Sequence, residues 1–226
     1  MALTLSFGGA ARAGFGEEIH QHWGWALSLA IALTLAIAAM FVAHQGTRKR
    51  RELEDRIRHM ASHDTLTNFP NCALLMDRLK QVLAKANREG AKIAVLFLDL
   101  DDLTPVNNTM GQLAGDLVIK EMAERMLSCL RKTDTVARFG GDEFAIILTD
   151  IKNPDDVDDM AENLNKVLAM PVDLDGKEAC LGASIGISLY PEHGRTADLL
   201  LSLADEAMHV AKKEGKKNHR YSRPPK

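Results

Sequence analysis

The sequence predicts an α/β domain in which helices cover a central mixed β-sheet, preceded by one membrane-spanning helix. Three observations carry this reading. A charge-free apolar run lies near the N terminus, short apolar runs alternate with amphipathic helical stretches beyond residue 70, and a Gly-Gly turn joins two apolar runs as a hairpin. The 226 residues hold one domain of ordinary size and a smaller segment beside it. At 46% hydrophobic and 26% charged, the composition excludes a disordered or fibrous chain. The formal net charge of −3 argues against holding nucleic acid by bulk electrostatics.

From Gln21 to Thr47 there is no Asp, Glu, Lys or Arg. The most apolar part, residues 23–43, supplies about 20 helical residues at ~1.5 Å each, enough for a hydrocarbon core of ~30 Å. Trp23 and Trp25 stand where interfacial aromatics belong. A cleavable signal peptide carries its basic residues ahead of the apolar run, yet here Arg12 is offset by Glu17 and Glu18, and Arg48-Lys49-Arg50-Arg51 follows the run. The positive-inside rule then leaves residues 1–22 outside the membrane and everything after the basic cluster in the cytoplasm. His20, His22 and His44 flank the span and read as surface histidines near headgroups. Residues 44–63 form a basic linker helix. In it Leu53, Ile57 and Met60 make a short apolar stripe, suited to aligning two subunits.

The soluble domain is expected over residues 64–222, with a tail over 223–226. Apolar spacing predicts a helix at 71–89, a strand buried on both faces at 93–98 and a second helix at 113–130. A hairpin follows, with arms at 135–139 and 144–148. A helix at about 155–169, a strand around 182–189 and a last helix at 196–214 complete the pattern. Cys72, Cys129 and Cys180 are far apart, form no CxxC pair and sit among apolar neighbours, so they are expected to be small buried side chains without a role.

Two acidic clusters carry the chemistry. Asp99-Leu100-Asp101-Asp102 follows the buried strand, and Gly140-Gly141-Asp142-Glu143 makes the hairpin tip. Brought to one sheet edge without basic partners, these carboxylates would repel each other unless a divalent cation neutralised them. Mg²⁺ takes one or two carboxylates and completes its shell with phosphate oxygens and water. The residues alone therefore point to a nucleoside-triphosphate enzyme using a divalent metal, with glycines that let a triphosphate approach the backbone.

Arg138-Phe-Gly-Gly-Asp-Glu-Phe144 resembles the signature of the GGDEF family of diguanylate cyclases. So do Asp64-Thr-Leu-Thr67 with Pro70-Asn71, Phe97-Leu-Asp-Leu-Asp101, Asn107, Gly111 and Gly115-Asp116. Downstream, Ser184-Ile-Gly-Ile187, Tyr190-Pro191, Ala204-Asp205, Ala207-Met208 and Ala211-Lys212 match in order, so the likeness covers roughly residues 61–221. The resemblance implies the nucleotidyl-cyclase-like sandwich and a membrane-anchored enzyme that joins two GTP molecules into cyclic di-GMP. It places the chain in the inner (cytoplasmic) membrane as a single-pass protein, with two domains meeting face to face as a homodimer.

Residue by residue, the resemblance implies that Asp99 and Asp142, with the Leu100 carbonyl and Glu143, hold Mg²⁺ or Mn²⁺. Asp142 or Glu143 helps deprotonate the ribose 3′-hydroxyl. Asn107 and Asp116 read guanine, Gly140 and Gly141 leave room for the phosphates, and Lys212 and Lys216 neutralise them. Arg131-Lys-Thr-Asp134 matches the family's RxxD product-inhibition site, where Arg131 and Asp134 grip cyclic di-GMP.

The chain departs from the family at Asn68-Phe69, Cys72, Thr104, Asn108 and Gln112. At Lys216 an ammonium stands where the family has a guanidinium. The metal and guanine positions are kept while part of the phosphate grip is weakened. A catalytically weak domain that serves as a receptor for cyclic di-GMP or GTP is therefore the alternative reading, and a scaffold in which nucleotide binding is incidental is another.

Overall fold

In the computed structural model the backbone is described for residues 11–153, 155–174 and 176–222. Residues 1–10 and 223–226 lie outside the described residues, as do the side chains of His20, His22, Trp23 and Leu53. The chain divides into two compact units, one up to Arg58 and one from His59 onward.

The first unit is helical. Helix α1 runs without interruption over Ala11–Ser62. Its stretch Leu27–Arg50 is long and apolar enough to cross a membrane by length and composition. The large apolar side chains described there, from Leu27 to Val42, are exposed to solvent. Ile57 and Met60 of the expected stripe are exposed as well.

In the second unit, helix α2 covers Cys72–Glu89, strand β1 Lys92–Asp101, helix α3 Leu103–Met110 and helix α4 Gln112–Cys129. Strands β2 (Thr135–Gly140) and β3 (Glu143–Ile151) form the hairpin, and helix α5 (Asp155–Leu168) follows. Two short strands, β4 (Val172–Leu174) and β5 (Lys177–Ala179), pair with each other, ahead of β6 (Gly182–Tyr190), helix α6 (Ala197–Lys213) and β7 (His219–Tyr221). The main sheet has the order β2-β3-β1-β6-β7, antiparallel except for the parallel β6–β7 pair. This is the mixed sheet that the sequence predicts.

The apolar run of β1 makes sense once both faces are covered. Ala94, Leu96, Leu98 and Leu100 point to one side and pack with Val118, Met122 and Met126 of α4 and Val157 and Leu164 of α5. Ile93, Val95 and Phe97 point to the other and pack with Leu75 and Leu79 of α2 and Leu200, Ala204 and Met208 of α6. Side chains alternate across a strand, so Asp99 and Asp101 continue the face that looks toward α6. Gly186 on β6 is the register partner of Phe97, and α6 lies directly on it: a Cβ there would collide with the Ala204 carbonyl and the Met208 amide. Asn71 caps α2 by accepting from the Leu74 amide at 3.1 Å, and Gly90 ends it in the left-handed conformation.

Several expectations need correction. Strand β1 extends through Asp101, past the predicted 93–98, so Asp99, Leu100 and Asp101 lie in the strand and Asp102 follows it. The apolar pattern stops at Leu98, but ladder bonds to β6 continue to Asp101 opposite Gly182. Helix α3 is an element that the sequence reading did not include, and it carries Pro105 near its start. Proline is tolerated there because it sits in the first turn, where its missing N–H has no helical partner in any case. The strands β4, β5 and β7 are each three residues long, too short to show a period. Cys72 and Cys180 are exposed, contrary to expectation, and Cys129 is half-buried; all three are free thiols. Cys72 opens α2 at its solvent-facing end, where an apolar neighbourhood in sequence does not amount to burial in space.

Replacing Gly186 with alanine should force α6 off the sheet. Gly186→Ala is expected to destabilise the domain by about 1–3 kcal/mol, the range for overpacked cores. Urea unfolding of the full chain in mild detergent measures this, and an unchanged midpoint would show that α6 has room to shift.

Candidate active site

The hairpin turn and the end of β1 meet at one edge of the sheet. Gly141 adopts φ 53° and Gly140 φ 142°, which together let the chain reverse at Gly141-Asp142. The Leu100 amide donates to the Asp142 carbonyl at 3.0 Å, tying the turn to β1. Arg138, itself buried, clamps the turn from below. Its Nη2 and Nε donate to the Gly141 carbonyl at 2.7 and 3.2 Å, and its Nη1 reaches Asp64 Oδ1 at 2.9 Å. Asp64 also accepts from the Thr67 amide and hydroxyl, both at 2.8 Å. The segment Asp64–Thr67 is thus a built loop whose carboxylate holds the guanidinium that shapes the hairpin turn. Burial works against the Asp64 carboxylate, but the bonds from Thr67 and Arg138 outweigh it and hold its pKa below the ordinary range. The sequence motifs contained both residues, but nothing in their spacing showed that they touch.

The acids of the first cluster separate into three jobs. Asp99, buried and opposite Glu143 in the β1–β3 register, receives Lys212 Nζ of α6 at 2.7 Å. Asp101, also buried, accepts from Ser184 Oγ at 3.0 Å and from the Lys217 amide at 3.0 Å. Asp102 receives Lys216 Nζ at 2.7 Å. The carboxylates were expected to meet without basic partners; instead both lysines assigned to the triphosphate already rest on them.

Even so, negative charge is in excess here. Burial pushes the Asp99 carboxyl up, the hydrogen bond from Lys212 pulls it back, and Asp142 and Asp101 push it up again, leaving it above its ordinary value. Burial and then the charges of Asp205, Asp99 and Asp142 raise Glu143, partly offset by His209. Burial lowers the Lys212 ammonium, but Asp99, Asp142 and Asp101 outweigh it and hold its pKa up. Among the described residues no group of three or more His, Cys, Asp or Glu side chains gathers to hold a metal by itself. An oxygen-only edge with surplus negative charge fits Mg²⁺ or Mn²⁺, which draw the rest of their shell from phosphate and water.

Beside this edge, Asn107 of α3 faces Gly115 of α4, where a Cβ would collide with the Asn107 side-chain oxygen. That oxygen is buried and has no hydrogen-bond partner, while the half-buried Asp116 follows on the next position. An unpaired buried acceptor is costly unless something donates to it. Asn107 and Asp116 thus lie on either side of Gly115, where α3 and α4 approach closely.

Arg131 and Asp134 lie in the bend before β2, and their side chains do not pair with each other. Asp134 accepts from the Arg131 amide at 3.0 Å and from the Thr149 amide at 3.2 Å, and the exposed Arg131 guanidinium has no ion-pair partner among the described residues. Asp134 is busy capping the bend, which leaves the guanidinium available to a ligand.

The sequence profile described as "Diguanylate cyclase, GGDEF domain" matches residues 61–218. The chain belongs to the GGDEF family. The bifunctional diguanylate cyclase/cyclic di-GMP phosphodiesterase MucR of Pseudomonas aeruginosa is 43% identical over 160 residues, 71% of this chain and 23% of MucR. Diguanylate cyclase TpbB of the same organism is 40% identical over 163 residues, 72% of this chain and 38% of TpbB. The match spans well under two thirds of the length of either relative. The solved GGDEF domain of TpbB superposes with a TM-score of 0.70 at 40% identity, covering 71% of this chain and 94% of that one. A microbial GGDEF domain solved with cyclic di-GMP gives a TM-score of 0.64 at 30% identity, covering 74% of this chain and 99% of that one.

The raised pKa of Glu143 has a testable sign. A carboxyl whose folded pKa lies above its ordinary 4.5 costs stability when ionised, and the cost vanishes once pH falls below that value. Metal-free Glu143→Gln should therefore be more stable than wild type near pH 7, by up to about 1 kcal/mol. The difference should close as pH falls toward 4.5. Urea titrations of both proteins across that range test it, and a pH-independent difference would mean that Glu143 is not held by surplus charge.

Proposed function

We propose that this GGDEF protein is a membrane-anchored diguanylate cyclase that converts two GTP into cyclic di-GMP and two pyrophosphates. The observation that carries this is the convergence of Asp99, Asp142 and Glu143 at one sheet edge. Two lysines flank them. Anchoring rests on the apolar stretch Leu27–Arg50 and the basic cluster that closes it, which puts the GGDEF domain in the cytoplasm.

In this reading Asp116 accepts from the N1–H and N2–H₂ of guanine, and the Asn107 amide meets the purine edge. Lys212 and Lys216 turn from carboxylates to phosphates, and Gly140 and Gly141 leave the turn clear of side chains. Asp99, Asp142, Glu143 and the Leu100 carbonyl would hold Mg²⁺ or Mn²⁺, which lowers the pKa of the attacking hydroxyl and stabilises the charge that develops on the transferred phosphoryl group. Asp142 or Glu143, at the tip of the hairpin, would receive the 3′-hydroxyl proton. The 3′-oxygen bonds to the α-phosphorus of the facing GTP, the bond to the β-phosphate bridging oxygen breaks, and pyrophosphate leaves. The same exchange in the other direction closes the ring. Each domain supplies one GTP, so two copies must meet with their sheet edges opposed.

Product would bind at the free Arg131 guanidinium, whose planar donors suit a guanine edge and a phosphate.

Purified full chain in detergent with GTP and Mg²⁺ is expected to form cyclic di-GMP and pyrophosphate. Asp99→Asn and Asp142→Asn should abolish product while leaving the fold intact, and turnover retained in either would overturn its assignment. Binding of cyclic di-GMP with no turnover would favour the receptor reading.

Asp116→Asn should cost roughly 1–3 kcal/mol of GTP affinity by opposing a donor to guanine's own donors. The loss for inosine triphosphate should be smaller, and equal losses would show that Asp116 does not meet the 2-amino group. Arg131→Ala should keep the initial rate and lose inhibition by added cyclic di-GMP. Superimposable inhibition curves for wild type and variant would remove Arg131 from the product site.

A further inference from the structure

We propose that Asp102 sets the affinity for the triphosphate by competing with it for Lys216, so that GTP binding exchanges one anion for another at that ammonium. The inference rests on the reading above, in which the phosphates lie beside Asp99.

Asp102 occupies the position that precedes α3, where an aspartate ordinarily accepts a hydrogen bond from the first helical amides. It makes no such bond. Its backbone is left-handed, φ 67°, and its Oδ1 is spent on Lys216 Nζ at 2.7 Å. The partner side is equally unusual. Gly215, Lys216 and Lys217 follow one another at φ 124°, 62° and 53°, a conformation that L side chains rarely adopt. Such backbone persists only where its surroundings over-determine it.

Those surroundings are specific. Asp101, buried and fixed by Ser184, accepts the Lys217 amide, and the Lys216 amide donates to the Ala211 carbonyl at 3.3 Å. The Lys217 side chain lies over Gly182, where a Cβ would collide with it. The turn after α6 is thus built to deliver one ammonium to the start of α3, next to the Asp99–Lys212 pair. The group waiting there is a carboxylate.

At this edge Asp99, Asp101, Asp102, Asp142 and Glu143 outnumber Lys212 and Lys216. Asp101 is committed to the backbone and Asp99 to Lys212. Asp102 is the acid whose removal costs no other contact given above, and its effect on a phosphate runs through Lys216. Asp102 and Lys216 are each about 40% exposed, so the pair opens readily and its competition is modest. The hydrogen bond from Lys216 to the carboxylate stabilises the charged form of the lysine and holds its pKa up.

The test is a double-mutant cycle on the full chain in detergent, read by steady-state kinetics and by equilibrium binding of a non-hydrolysable GTP analogue. Asparagine and glycine both tolerate the left-handed backbone, so Asp102→Asn and Asp102→Gly leave α3 undisturbed. Either is expected to lower the KM for GTP and the Kd of the analogue roughly two- to fivefold, with kcat unchanged. In a Lys216→Met background the same changes should have no effect. Unchanged or weaker binding in both Asp102 variants overturns the proposal. An equal gain with and without Lys216 also overturns it, because the carboxylate would then act on the phosphates directly. If the wild type binds no GTP analogue, the functional reading falls and this inference with it; if it binds and the cycle shows no coupling, this inference falls alone.

Discussion

Asp99 on β1 and Glu143 on β3 are register partners, so two carboxylates stand side by side across an antiparallel ladder with Asp142 next to them. Like charges directly opposite one another destabilise a sheet, and both groups are partly withdrawn from water. Nothing in the ladder relieves this; relief comes from outside the sheet. Lys212 reaches down from α6 to Asp99, Lys216 reaches across to Asp102, and His209 of α6 stands 3.8 Å from Asp205, an acid that also raises Glu143. Much of the second unit acts as a frame that brings α6 close enough to β1 for those contacts. Gly186 is the clearest sign of it, since a single methyl group there would keep the helix away.

The same excess of negative charge connects structure to chemistry. An edge that is unfavourable when empty gains most from a ligand that brings cations, and a metal-bound nucleotide brings them. The buried side-chain oxygen of Asn107 works in the same direction, since its missing hydrogen bond is a cost that a purine edge can remove. Strain, repulsion and an unmet acceptor lie within one region, while the hydrophobic faces of the sheet are filled and satisfied on both sides. The domain concentrates its local disadvantages where a substrate would repay them.

Two loops that look like connectors turn out to hold the site in shape. Asp64–Thr67 follows α1 directly, and its carboxylate fixes Arg138, which in turn holds the Gly141 carbonyl at the tip of the hairpin. Residues 215–217 follow α6, and Asp101 fixes them through a backbone amide. In each case a buried or half-buried aspartate determines the local conformation: Asp64 that of the hairpin tip through Arg138, Asp101 that of the turn carrying Lys216.

The sequence by itself determined the helical and strand order of the long elements, the membrane-compatible length of the N-terminal run and the family. These features are local: period, charge-free length and ordered motifs are written along the chain. It also singled out Asp99, Asp142 and Glu143, which the fold brings together at one edge of the sheet. What it did not disclose was pairing at a distance. Asp64 and Arg138 are 74 positions apart, and Asp99 and Lys212 are 113 apart. Helix α3 is only eight residues long, strands of three residues carry no period, and the exposure of Cys72 and Cys180 depended on which face of an element met solvent. Only tertiary structure decides which of several adjacent aspartates meets a lysine, an amide or open solvent, because strand alternation and the packing of α6 select among residues that look equivalent in the chain.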